Sequence, residues 1–260
     1  MIGILDSGIG GITALKELMR LLPDESFIYL ADEAHRPYGN RSRGEICRYS
    51  ASALSFFAQN GADAALLACG TASSLALDFC KRSFAFPVYG VTEPAVHAAL
   101  QATKNKRIAV AATEATVKSE SFERLFRRYA PDADIFPLAC APLVTLAEEG
   151  ALPEQAYGTV RKCLAPICEK KPDTLILGCT HFSILQNVIA AYLPNTTLID
   201  SGKEAARVLA AEYVSRKQSD RRRAPRVRIF TTQDTVSFSR RTAELFGEKV
   251  RVYRCDPHII

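Results

Sequence analysis

Two segments of the chain present cysteine in the same setting. DAALLACGT (63–71) and DTLILGCTH (173–181) each run from aspartate through apolar residues and a small residue to a cysteine, Cys69 and Cys179, 110 positions apart. Each pattern is that of a buried strand that stops where a helix opens. Unpaired N–H groups and the helix dipole favour an anion there, so a thiol of ordinary pKa about 8.5 is expected to be drawn toward thiolate. Two such groups facing one cleft suit a definite chemistry: one takes a proton from one face of a carbon, and the other returns a proton to the opposite face. Cysteine fits both tasks because thiol and thiolate are both accessible near neutral pH.

Cys47, Cys80, Cys140, Cys163, Cys168 and Cys255 have no such setting and are expected to be small apolar filler without disulfides. Cys163 and Cys168 with Cys179 and His181 come nearest to a metal arrangement. No tight cysteine pair anchors it, so neither metal nor cofactor is expected.

The elements that must hold the two cysteines follow an α/β rhythm. Strands are predicted at 2–5, 27–31, 64–68, 88–91, 108–112, 135–138, 174–177, 197–199, 227–230 and 250–253, several of them continuously apolar, as in strands buried on both faces. Amphipathic helices are predicted between them, including 12–22, 45–59, 121–129, 155–169 and 205–214. Such a succession gives largely parallel sheets. Ten strands and the internal echo favour two pseudo-symmetric α/β domains with the active site in the cleft between them: 1–95 plus 206–260, and 96–205. The chain is expected to cross near 93–98 and return near 203–207. A second echo, ILDSG (4–8) with LIDSG (198–202), is equally consistent with symmetry and with chance.

Composition narrows the class further. With 260 residues, 48% of them hydrophobic, the chain can bury a substantial core. No apolar run reaches the roughly 18–20 residues of a membrane span, and MIGILDSG has no basic leader, so a cytoplasmic location is expected. The net charge of +5 is local: 216–228 carries +6, leaving the other 247 residues at −1. That run has no interleaved aromatic residues and reads as a solvated loop, which disfavours a nucleic-acid partner. A homodimer is left open.

DSGIGG (6–11), RPYGNRS (36–42), ACGTAS (68–73), GVTEP (90–94) and LGCTH (177–181) resemble, in order and spacing, the motifs of glutamate racemases in the cofactor-independent aspartate/glutamate racemase superfamily. The resemblance implies two-base interconversion of L- and D-glutamate, supplying D-glutamate for peptidoglycan. Cys69 would act on the D-enantiomer and Cys179 on the L-enantiomer, assisted by Asp6 and His181 respectively. Asp6, Ser7, Tyr38, Gly39, Gly70, Thr71, Thr180 and His181 match positions at the substrate. Read without the family, Asp6-Ser7-Gly8 and Pro37-Tyr38-Gly39 serve equally as turns, and His181 as a structural histidine. DSGIGG lacks the lysine of a phosphate loop. His35, His97 and His258 are read as surface or structural residues.

The chain departs from the family at Gly70, where asparagine is usual after the first cysteine, and at Phe182-Ser183, where Tyr-Pro is usual. Gly70→Asn is therefore expected to tighten glutamate binding. A sister racemase acting on aspartate, another amino acid or a hydantoin, and a non-catalytic regulator, remain alternatives.

Overall fold

The computed structural model describes residues 1–150, 153–216 and 226–256. The centre of the basic run, 217–225, lies outside the described residues. The chain begins β1 (Ile2–Asp6), α1 (Ile12–Leu21), β2 (Phe27–Ala31), two short 3₁₀ turns (Glu33–His35 and Tyr38–Asn40), α2 (Arg43–Gln59), β3 (Ala64–Leu67), α3 (Gly70–Ser83), β4 (Val88–Gly90) and α4 (Thr92–Ala102). It continues through β5 (Arg107–Ala112), α5 (Glu114–Lys118), α6 (Ser121–Tyr129), β6 (Asp134–Ala139), α7 (Ala141–Glu149), α8 (Pro153–Cys168), β7 (Thr174–Leu177), α9 (Thr180–Ile184), α10 (Gln186–Tyr192) and β8 (Thr197–Asp200). The last described elements are α11 (Ser201–Arg216), β9 (Val227–Thr231), α12 (Thr235–Phe246) and β10 (Val252–Arg254).

The strands form a six-stranded sheet ordered β10-β9-β2-β1-β3-β4 and a four-stranded sheet ordered β6-β5-β7-β8. Every strand pairing among the described residues is parallel. Helices cover both faces, which explains the continuously apolar strands. Ile2, Ile4 and Leu66 pack with Leu15 and Leu209 on one side of the larger sheet, while Leu5, Ile28 and Leu67 pack with Leu54 and Phe57 on the other. In β5, Ala109 and Ala111 face Leu143 and Val160, whereas Ile108 and Val110 face Phe122 and Phe126. Burying each large aliphatic or aromatic side chain contributes about 2 kcal/mol.

α4 carries the chain from the larger sheet to the smaller one, and α11 brings it back, packing on α1 and α4. The internal order β2-β1-β3-β4 recurs as β6-β5-β7-β8, so β3 and β7 hold equivalent places. Their exits are tied alike: the Ala68 N–H donates to the Leu5 carbonyl at 2.9 Å, and the Gly178 N–H to the Ala111 carbonyl at 2.8 Å. The Asp-to-Cys echo therefore marks equivalent strands. The DSG echo does not, because Asp6 ends β1, a central strand, while Asp200 ends β8, an edge strand.

Candidate active site

In each sheet the strand order reverses direction beside the cysteine-bearing strand, between β1 and β3 and between β5 and β7. Crevices for ligands form at the carboxyl ends of strands at such switch points. A cavity of about 490 Å³ opens there, with Cys69, Cys179, Ser7 and Thr113, each one or two residues past the end of its strand, in its wall. Tyr38, Gly39, Thr71, Thr180 and His181 also line it. Asp6 and Gly70 do not. A cavity of about 590 Å³ beside Leu77, Phe86 and Tyr89 contains neither cysteine. Among the described residues no three His, Cys, Asp or Glu side chains gather as a metal site, and no helix is long and apolar enough to cross a membrane.

Cys69 is the N-cap of α3, buried, with the Ser7 hydroxyl 3.8 Å from its sulfur. Its thiol is pushed up to about 12, first by burial and then by the Asp6 charge. This corrects the expected drift toward thiolate: the Ala72 N–H at the helix start does favour the anion, but desolvation outweighs it. Asp6 lies behind the wall, its Oδ2 accepting from the Gly8 N–H at 3.2 Å and the Gly11 N–H at 3.1 Å, and its Oδ1 from the Thr180 hydroxyl at 3.1 Å. Burial raises its pKa, against the His181 charge and these hydrogen bonds. The Tyr38 hydroxyl donates to Asp32 at 2.6 Å. The Thr71 and Thr113 hydroxyls meet at 2.9 Å across the two sheets' strand ends.

Cys179 has a different neighbour. Its sulfur lies 3.7 Å from His181 Nδ1, and His181 Nε2 lies 2.5 Å from Glu148 Oε1. Burial works against a cationic ring, yet the contacts with Cys179 and Glu148 raise the His181 pKa well above its ordinary value. Glu148 is likewise penalised by burial, but His181, Arg36 and Arg241 hold it down at about 2. Its Oε2 accepts from Arg36 Nη1 at 2.6 Å and from Arg241 Nη1. Two thiols at equivalent places thus sit in unlike electrostatic surroundings.

Glycines let the two sets of strand ends touch. A Cβ at Gly10 would fall 2.7 Å from the His181 backbone nitrogen, so this glycine of DSGIGG lets the two backbones approach. At Gly70 a Cβ would overlap the Gly178 carbonyl oxygen. That contact contradicts the expectation that asparagine at 70 would help, since its side chain can enter only if the two cysteine-bearing segments separate.

Glu148, Arg36 and Arg241 escaped the sequence reading. LAEEG (146–150) did carry a signal, because two acids in the last turn of a helix oppose its dipole and call for another partner. Arg36 lay unremarked inside RPYGNRS, and Arg241 in FSRRT had no distinguishing pattern.

Because the folded pKa of Glu148 is depressed, its stabilisation is present above its ordinary value of 4.5 and lost as pH falls toward 2. The full effect is on the order of 3 kcal/mol. Glu148→Gln should lower the melting temperature at neutral pH and flatten its fall between pH 4.5 and 2, measured by thermal melts across that range.

Comparison with known proteins agrees with this geometry. The family model described as Asp/Glu/Hydantoin racemase matches residues 13–209. The chain is 40% identical over 244 residues to the glutamate racemase of Levilactobacillus brevis, covering 91% of this chain and 87% of that protein. Its structure superposes on glutamate racemase from Bacillus anthracis with a TM-score of 0.93 and 32% identity, over 98% of this chain and 97% of the other. It superposes on the Francisella tularensis glutamate racemase, solved in complex with D-glutamate, with a TM-score of 0.89 and 29% identity, over 98% and 97% of the two chains. The chain belongs to the Asp/Glu/hydantoin racemase family, within which it is an amino-acid racemase of the glutamate racemase type.

Proposed function

We propose that the chain interconverts L- and D-glutamate without a cofactor, with Cys69 and Cys179 as acid–base groups on opposite faces of the substrate α-carbon. The observation that carries this reading is the placement of both thiols at the ends of equivalent strands, β3 and β7, in the wall of one cavity. The D-glutamate bound by the Francisella tularensis relative supports the substrate. The reading also divides the chain into domains 1–95 plus 206–260 and 96–205, supported by which strands join which sheet. Its product supplies peptidoglycan, in the cytoplasm.

The surroundings of each thiol support a division of labour. Cys69, its thiol pushed up to about 12, rests protonated and serves as the acid. Cys179 serves as the base toward L-glutamate, with the cationic His181 ring as counter-charge 3.7 Å from its sulfur. In the reverse direction Cys69 removes the proton, with Ser7 beside its sulfur and Asp6 behind. The hydroxyls of Ser7 and Thr71, both residues in the cavity wall, supply hydrogen bonds for the substrate carboxylates.

Purified protein with no added cofactor should interconvert the two enantiomers and wash solvent deuterium into Cα, followed by chiral chromatography and mass spectrometry. Absence of both signals at high protein concentration refutes the reading, and a larger kcat/KM on aspartate or a hydantoin reassigns the substrate. Cys69→Ala and Cys179→Ala should each lower kcat by ~10²- to 10⁴-fold; full activity in either would overturn the two-base assignment. Enantiomers have equal free energy, so kcat/KM must stay the same in the two directions in every variant, and directional effects are to be read in kcat and KM separately. Gly70→Asn should lower kcat/KM about 100-fold, the scale of an ångström-level misplacement. An improved KM would show that the Gly70–Gly178 contact does not hold the active geometry.

A further inference from the structure

We propose that Arg36 and Arg241 are positioning residues of this racemase: from the half built on the larger sheet they grip Glu148 on the other half and so fix the carboxylate that holds the His181 imidazole facing Cys179. The inference rests on the two-cysteine reading.

Glu148 lies in the last turn of α7, between β6 and β7 of the smaller sheet. The negative end of that helix disfavours a carboxylate. Its Oε1 meets His181 Nε2 at 2.5 Å on its own half. Its Oε2 reaches across the cleft to Arg36, which follows β2, and to Arg241 on α12, both on the larger sheet's side. The arginines are braced in turn. Glu33, 2% exposed at its side chain, takes Arg241 Nη2 at 2.5 Å, lies 3.4 Å from Arg36 Nη1, and accepts from the Thr231 hydroxyl at 2.9 Å. Arg241 also lies over the Phe238 ring, 5.6 Å from its centroid.

Glu33 and the arginines therefore form a fixed receptor, and Glu148 is the group that docks into it. The charged and titratable groups around Glu148 are His181, Arg36 and Arg241, with Glu33 behind the arginines, Tyr29 and Asp6 within electrostatic range of the His181–Glu148 pair, and Glu149 next in the chain. Without the two arginines Oε2 has no fixed seat, so Oε1 is no longer held at the imidazole facing Cys179.

The test is a double-mutant cycle on the full chain with glutamate as substrate. Arg36→Gln and Arg241→Gln are each made alone and with Glu148→Gln. Each single arginine variant should lose about tenfold in kcat/KM, the size of a hydrogen bond to a charged group. Each should also move the acid limb of the kcat/KM–pH profile upward, because Glu148 then protonates at higher pH. Adding either to Glu148→Gln should cost nothing further, and Arg36→Lys should recover most of the loss. NMR of the His181 ring nitrogens should show the ring turning neutral at lower pH in the arginine variants than in the parent, as expected if Glu148 leaves its seat; a shift to higher pH, as expected from losing a cation alone, overturns the proposal. Losses that add to that of Glu148→Gln, or an unmoved His181 titration, overturn the proposal. Testing the two arginines separately lets one decide if the other variant does not fold. Inactivity of the parent protein would instead refute the racemase reading itself, so the two failures are distinguishable.

Discussion

The close approach of two backbones, Gly70 against the Gly178 carbonyl, is the constraint on which the rest of the site depends. Proton transfer on opposite faces of one carbon requires two thiols at a fixed separation, and a misplacement of an ångström is costly. Here that separation is set by backbone in van der Waals contact, without an intervening side chain. Hydrogen bonds of Ala68 to Leu5 and of Gly178 to Ala111 hold the two exits on their respective sheets. The Thr71–Thr113 and Thr180–Asp6 contacts then bridge the halves on either side of the seam.

A pseudo-symmetric scaffold need not give symmetric chemistry. Both cysteines follow the third strand of a repeated β2-β1-β3-β4 order, yet burial and a nearby carboxylate surround one while an imidazole faces the other. Desolvation of a thiol can exceed what a helix N-terminus contributes, because the latter is a partial charge and the former acts on a whole one. The difference arises from what each half places behind its thiol: Asp6 from β1 for Cys69, and the His181–Glu148 pair for Cys179.

Much of this was legible in the residues. Continuously apolar strands and amphipathic helices reveal parallel sheets covered on both faces, because burial on two sides leaves no position for a polar residue. All ten predicted strands occur, most shifted by a residue or two, since the last hydrogen bond of a strand depends on its neighbour. The DAALLACGT and DTLILGCTH echo located both thiols because equivalent strands repeat their local environment. The DSG echo, even between symmetry and chance in the sequence, marks strands that are not equivalent, since a turn after any strand selects the same small polar residues whichever strand it follows.

What the sequence determined by itself is local in origin: the elements, their buried faces, and the two cysteines at strand ends, each written in a contiguous run of side chains. Tertiary structure alone decided that Glu148 meets Arg36 and Arg241 from elements 112 and 93 positions away, that Asp6 stands behind the cavity wall, and that Gly70 faces backbone. The reason is physical. Charge pairing, desolvation and steric overlap depend on distances through space, and those distances exist only once the two sheets have packed against each other.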